Sequence, residues 1–203
     1  MKTFVLVAIS TLFPLFAVSQ DADSLLALLD SSQDATPLLP EEMSITKRWL
    51  WRENGLMRKT GIFPLTTEDR QRELRLRRKM LKTHQVAGYV TSALMLGTAI
   101  AGQKSYDGEW SGNIHKGVEL AMATSYTITG ALSLLSPPPL LVEGRKLSNI
   151  KVHRILAYVH GTGMIANGLF GEKMLQNGRR DLHRVVGYTT AGALWGAMIV
   201  MKF

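Results

Sequence analysis

The 203-residue chain predicts an all-α protein: a four-helix up-down transmembrane bundle preceded by an N-terminal extension. Three observations carry that expectation. Residues 83–203 are mostly apolar, in four stretches of about 20 residues, the length that crosses a bilayer core. The breaks between them are short, apart from Ser136–Lys151, and short connections force antiparallel neighbours. A histidine opens every stretch: His84, His115, His153 and His183.

The elements follow in chain order. Met1–Ser19 reads as a secretory signal, with Lys2, an apolar run from Phe4 to Phe16 and a small-x-small site at Ala17-Val18-Ser19. An uncleaved anchor helix is the competing reading. Cleavage places residues 20–82, the extramembrane extension, on the extracytoplasmic side. The positive-inside rule, applied to the basic run before the first span, argues the reverse. Leu25, Leu26, Leu28 and Leu29 give Asp21–Asp34 an apolar helical stripe. Trp49, Trp51 and Phe63 suit an interface. Thr67 is the expected cap of an interfacial helix over 68–82, with Glu68 and Asp69 in its first turn.

The net charge of +8 is concentrated before the first span, in Arg70, Arg72, Arg75, Arg77, Arg78, Lys79 and Lys82. No aromatic-interleaved or helix-turn-helix pattern supports nucleic acid as partner, and anionic lipid headgroups are the plainer expectation. The absence of cysteine excludes disulfides, thiolate zinc sites, iron–sulfur clusters and c-type haem attachment.

The spans fall near 83–103, 114–135, 152–171 and 182–201, and form the helical domain 83–203. They are rich in Gly, Ala, Ser and Thr, as in helices that pack closely on one another or on a flat cofactor. A soluble helical bundle is the alternative. Span one (His84-Gln-Val-Ala-Gly-Tyr-Val-Thr) and span four (His183-Arg-Val-Val-Gly-Tyr-Thr-Thr) open alike and share a later glycine, Gly97 and Gly196. Spans two and three share Gly130 and Gly168, so the faint repeat pairs one with four and two with three.

In an up-down bundle, His84 and His153 fall at one level and His115 and His183 at the other. Two such pairs suit two bis-histidine b haems, with these four imidazoles as the metal ligands. Gly88 and Gly187, four residues after their histidines, clear space for a porphyrin on the same face. Arg154 and Arg184 adjoin the ligands and suit propionates. His160, seven residues after His153, points the same way and rivals it as ligand, or hydrogen-bonds within the bundle. Glu119 follows His115 by one turn; a proton route, a bond to the imidazole and mere headgroup proximity stay open. Zinc suits the histidines less well, since pairs at opposite levels do not converge on one tetrahedral site.

Leu182-His183-Arg184-Val-Val-Gly187-Tyr188, with Val152-His153-Arg154-Ile-Leu and His84-x-x-x-Gly88, resembles the cytochrome b561 family and its ferric-reductase relatives over roughly 83–201. The resemblance implies four helices holding two b haems. Electrons would pass across the membrane from a donor such as ascorbate or quinol to ferric iron, a quinone or a partner redox protein. The chain departs from the family in lacking two flanking spans, in the sequence after His115 and in having His160. The competing expectation is a haem-free accessory or assembly subunit of a larger membrane complex. A transporter or channel is weaker, since one intramembrane carboxylate offers little pathway chemistry.

Overall fold

A computed structural model describes residues 37–140 and 149–202. The signal segment, the stripe helix over 21–34 and part of the Ser136–Lys151 connection lie outside the described residues. Two short helices, α1 (Ile45–Trp51) and α2 (Leu56–Lys59), precede four long ones. These are α3 (Thr67–Tyr106), α4 (Gly112–Leu134), α5 (Asn149–Gln176) and α6 (Arg180–Lys202). The described residues contain no strand, so the all-α expectation stands.

The interfacial helix and span one are one unbroken helix. α3 has 40 residues, roughly 60 Å at the α-helical rise. Thr66, not Thr67, caps it: Thr66 Oγ1 accepts from Asp69 N at 3.1 Å. A cap at Thr67 would spend that bond on Arg70, whose backbone N–H already donates to the Thr66 carbonyl.

The long helices form two antiparallel hairpins, α3–α4 and α5–α6. Both turn in the same way. Gly108 and Gly178 adopt positive φ, 78° and 70°. Each donates to the carbonyl three residues back, and its successor donates to the carbonyl five back. These are matching Schellman turns, which need a residue without a Cβ.

The likeness runs along the whole hairpin. An offset of 69 (153 minus 84) maps α3 onto α5: His84 to His153, Tyr89 to Tyr158, Met95 to Met164, Gly102 to Gly171 and Lys104 to Lys173. An offset of 68 (183 minus 115) maps α4 onto α6: His115 to His183, Lys116 to Arg184 and Ala123 to Ala191. The internal repeat thus pairs helix one with three and two with four. The expected pairing of one with four rested on the His-x-x-x-Gly-Tyr opening, which is local and fits no register of the fold.

Between the hairpins, Met95, Met122, Ala191 and Leu194 are buried together, with Leu94, Tyr126, Met164 and Trp195 against them. At one end the N-terminal segment closes the bundle. Glu73, 0% exposed, is paired with Arg58 and with Arg70, itself 0% exposed. Arg70 Nη2 donates to the carbonyls of Pro138 (2.9 Å) and Pro139 (3.0 Å), and Arg77 Nη1 to that of Pro137 (2.7 Å). Trp51 Nε1 donates to Leu135 O at 3.0 Å. Proline has no N–H to lend a partner, so these donors satisfy carbonyls just beyond the α4 C-terminus, the negative end of its dipole. Arg70 and Arg77, expected to face lipid headgroups, are therefore interior ties. A run of like charges carries no signal of which members turn inward.

The expectation of an integral multi-pass membrane protein is overturned. No helix among the described residues is long and apolar enough to cross a membrane. The stretches have the length, but Thr91, Thr98, Ser125, Thr129, His160 and Asn167 dilute their hydropathy. The outer faces nonetheless display large apolar side chains, Leu120 and Leu169 each 71% exposed.

Candidate functional site: two facing histidine pairs

The hairpins lie side by side, α3 touching α6 far less than either touches its own hairpin partner. Tyr126 on α4 reaches His160 on α5, and Tyr188 Oη on α6 donates to Gln103 Oε1 on α3 at 2.8 Å. Helices α3 and α5 are then diagonal across the bundle, as are α4 and α6. Both histidine pairs span diagonals. The His84 and His153 ring centroids are 6.3 Å apart with planes at 88°. Those of His115 and His183 are 6.2 Å apart at 87°.

This spacing has a chemical meaning. A metal–imidazole bond of about 2 Å, plus about 1 Å from nitrogen to ring centre on each side, separates two trans imidazoles by about 6 Å. Direct ring packing also gives centroid distances of this size, so the hydrogen bonds matter more. His84 Nδ1 lies 2.8 Å from Thr129 O, His115 Nδ1 3.2 Å from Thr98 O and His153 Nδ1 2.9 Å from Ala197 O. A carbonyl only accepts, so each Nδ1 carries a proton, and in the neutral ring Nε2 is the nitrogen with the lone pair. Metal-binding histidines are commonly fixed in this way. His183 Nδ1 differs, being buried with no hydrogen-bond partner.

Glycines shape the seats, though not all of those expected. A Cβ at Gly88 would meet nothing within 4 Å, which leaves open space beside His84. One at Gly187 would stand 3.4 Å from Asn167 Nδ2, so Gly187 makes room for an amide of the chain itself. The tight contacts lie at Gly102 and Gly171, which sequence reasoning missed. A Cβ there would come within 2.9 Å of His115 Cε1 and 3.1 Å of His183 Cε1 and Nδ1. Their signal was present as equivalent positions in the hairpin repeat, obscured by pairing the wrong helices.

His160 belongs to neither ring pair. Its Nδ1 lies 2.8 Å from Tyr126 Oη, and it is 8% exposed. Burial, then the neighbouring His153 and His84, lowers its pKa from 6.5 to about 4, so it is neutral near pH 7. Burial raises the Tyr126 phenol. Burial also lowers His183, and His115 adds to this while Glu119 opposes it, which puts that carboxylate in electrostatic reach of the imidazole. Thr91 Oγ1 hydrogen-bonds to Ser125 Oγ (2.8 Å) and Thr129 Oγ1 (3.0 Å), making a polar layer beneath His84.

The two arginines differ. Arg154 is exposed and near enough to Lys47 to help lower that amine to about 8, after burial and Arg77. Arg184 lies over the Tyr106 ring at 4.1 Å and 3.4 Å from Gln103 Oε1, so it ties α6 to the end of α3. No group of three or more His, Cys, Asp or Glu able to hold a metal occurs among the described residues. The imidazoles come in twos, and His84 with His153 and His115 with His183 are the residues that would hold an iron cofactor. Comparison with protein families, with characterised proteins and with solved structures returns no match.

Proposed function

We propose that the chain is a b-type haem electron carrier with two bis-histidine sites, His84/His153 and His115/His183, near opposite ends of a four-helix bundle. The observation that carries this reading is the pair of facing imidazoles at each end, three of the four with Nδ1 committed to a backbone carbonyl. The resemblance to the cytochrome b561 family, in motifs only, points the same way. Bound haem supplies one-electron iron chemistry. The residues supply the rest. The carbonyls of Thr129, Thr98 and Ala197 orient the rings, Gly102 and Gly171 let helices approach them, and Gly88 keeps space beside His84. The apolar layer around Met95, Met122 and Leu194 keeps water from the interior between the sites. A donor such as ascorbate or a quinol would serve one end, and ferric iron, a quinone or a redox protein the other.

Purified protein should show a reduced b-type alpha band and two haems per chain. His84→Ala or His153→Ala should remove one haem, and His115→Ala or His183→Ala the other. A colourless preparation that stays colourless after haem is supplied rejects the reading. The exposed apolar outer faces favour a second one, a haem-free accessory subunit packed into a larger assembly. In that case all four alanine variants should leave assembly intact.

A further inference from the structure

The hairpin repeat exposes one mismatch. Thr129 serves His84, Thr98 serves His115 and Ala197 serves His153, each through its carbonyl. The offset of 69 maps Thr98 onto Asn167, so by register the Asn167 backbone carbonyl should serve His183. No hydrogen bond joins them. Instead two buried atoms stand without partners: the ring nitrogen His183 Nδ1 and the amide oxygen Asn167 Oδ1. One is a donor in its protonated form and the other an acceptor. A buried polar group left unsatisfied is destabilising, so a pair of complementary orphans is a strong drive to meet.

Their turns face each other: a Cβ at Gly171, one turn after Asn167, would come within 3.1 Å of His183 Nδ1. The Asn167 amide nitrogen lies 3.4 Å from where a Gly187 Cβ would be. Gly187 follows His183 by four residues, on the same face of α6, and its Cβ direction points back toward His183. Rotating the amide about its last torsion exchanges oxygen and nitrogen. The first hairpin has no such device, because Thr98 turns its hydroxyl back to Leu94 O at 2.8 Å.

We propose that Asn167 is the positioning residue of the His115/His183 site, its side-chain oxygen accepting Nδ1–H of His183 once that ring is seated against a metal. This rests on the haem reading above. It makes the two sites chemically unequal: three rings are held by rigid backbone and one by a side chain that can turn away. Glu119 and His115, both on α4, are the other groups whose charges reach that ring.

The test uses the full haem-loaded chain, with spectroelectrochemical titration and haem-affinity measurement on the parent and on Asn167→Ala, Asn167→Asp and Thr124→Ala. Each is repeated in a His84→Ala background, where one haem remains. Asn167→Ala should weaken the His115/His183 haem by about ten- to a hundred-fold, the usual cost of losing such a partner. It should also raise that site's potential, because the ring becomes less basic. Asn167→Asp, a stronger acceptor, should retain the haem and move the potential the opposite way. Thr124→Ala, at an exposed position whose hydroxyl bonds only the Leu120 carbonyl, should leave both sites unchanged, and circular dichroism should show all variants folded. A parent with two haems whose Asn167 variants match it, or shift both waves equally, overturns the proposal alone. A parent that takes up no haem overturns the reading beneath it as well.

Discussion

The two ends of the bundle hold equivalent histidines in unequal surroundings. Around His84 and His153, both Nδ1 atoms have carbonyl partners, and a neutral His160–Tyr126 pair and the Thr91–Ser125–Thr129 hydroxyls lie beneath. The Arg58–Glu73–Arg70 ties close that end. Around His115 and His183 one ring nitrogen lacks a partner, and the ties are exposed or half-buried contacts such as Tyr106 with Asp181 at 3.2 Å. The same hairpin, used twice, has been stiffened at one end and left adjustable at the other. Equivalent histidines therefore need not make equal sites.

The largest blow to the stiff end is Glu73→Ala, which leaves two buried guanidinium groups without their shared carboxylate. Breaking a buried ion pair in this way costs about 3–5 kcal/mol. At a few degrees per kcal/mol for a domain of this size, calorimetry should record a melting temperature lower by about 10 °C. On the proposed haem function, the His84/His153 site should lose affinity for haem and the other should not.

A pH titration of stability in the haem-free protein probes the same end. His160 resists protonation in the fold down to about 4, whereas the unfolded chain protonates near 6.5. Between those values the unfolded state binds the extra proton, so stability is complete above pH 6.5 and falls as pH drops toward 4. The loss amounts to about 3 kcal/mol. His160→Gln should flatten most of that slope in denaturant melts, with a residue from His183, whose pKa is also lowered, chiefly by burial. An unchanged slope would mean that His160 is hydrated.

At the adjustable end, Gly102→Ala puts a methyl group 2.9 Å from His115 Cε1, and the ring must tilt. On the proposed haem function, affinity there should fall about tenfold, roughly 1.4 kcal/mol, while the His84/His153 site keeps its affinity. Smallest is Thr66→Ala, which removes the cap of α3. It should cost about 1 kcal/mol in denaturant melts and leave both haem spectra unchanged, since the cap touches neither ring pair.

Much of this site was legible in the sequence because helix periodicity and chain reversal are regular. His84, His115, His153 and His183, opening matched apolar stretches, predict which ring meets which, and His84 faces His153 rather than His160. What escaped is carried by groups with no side-chain signature. The carbonyls of Thr129, Thr98 and Ala197 exist at every position and are chosen only by register. Arg70 and Arg77 look like any other member of a basic run until the carbonyls of Pro137, Pro138 and Pro139 are placed beside them. The membrane expectation failed for a different reason. Length and small-residue packing are shared by spans and by close-packed bundles, and hydroxyl-bearing residues lower hydropathy without shortening a helix.

The matching registers of the hairpins also say something about how little chain the arrangement requires. Every ring pair joins a residue to its own counterpart, so one hairpin contains half of each seat and neither seat whole. Two copies of a single hairpin, related by an axis running down the middle, would complete both at once, as an isologous dimer does. Joining the halves in one polypeptide frees each to change independently, and Asn167 and His160 stand where that freedom has been used.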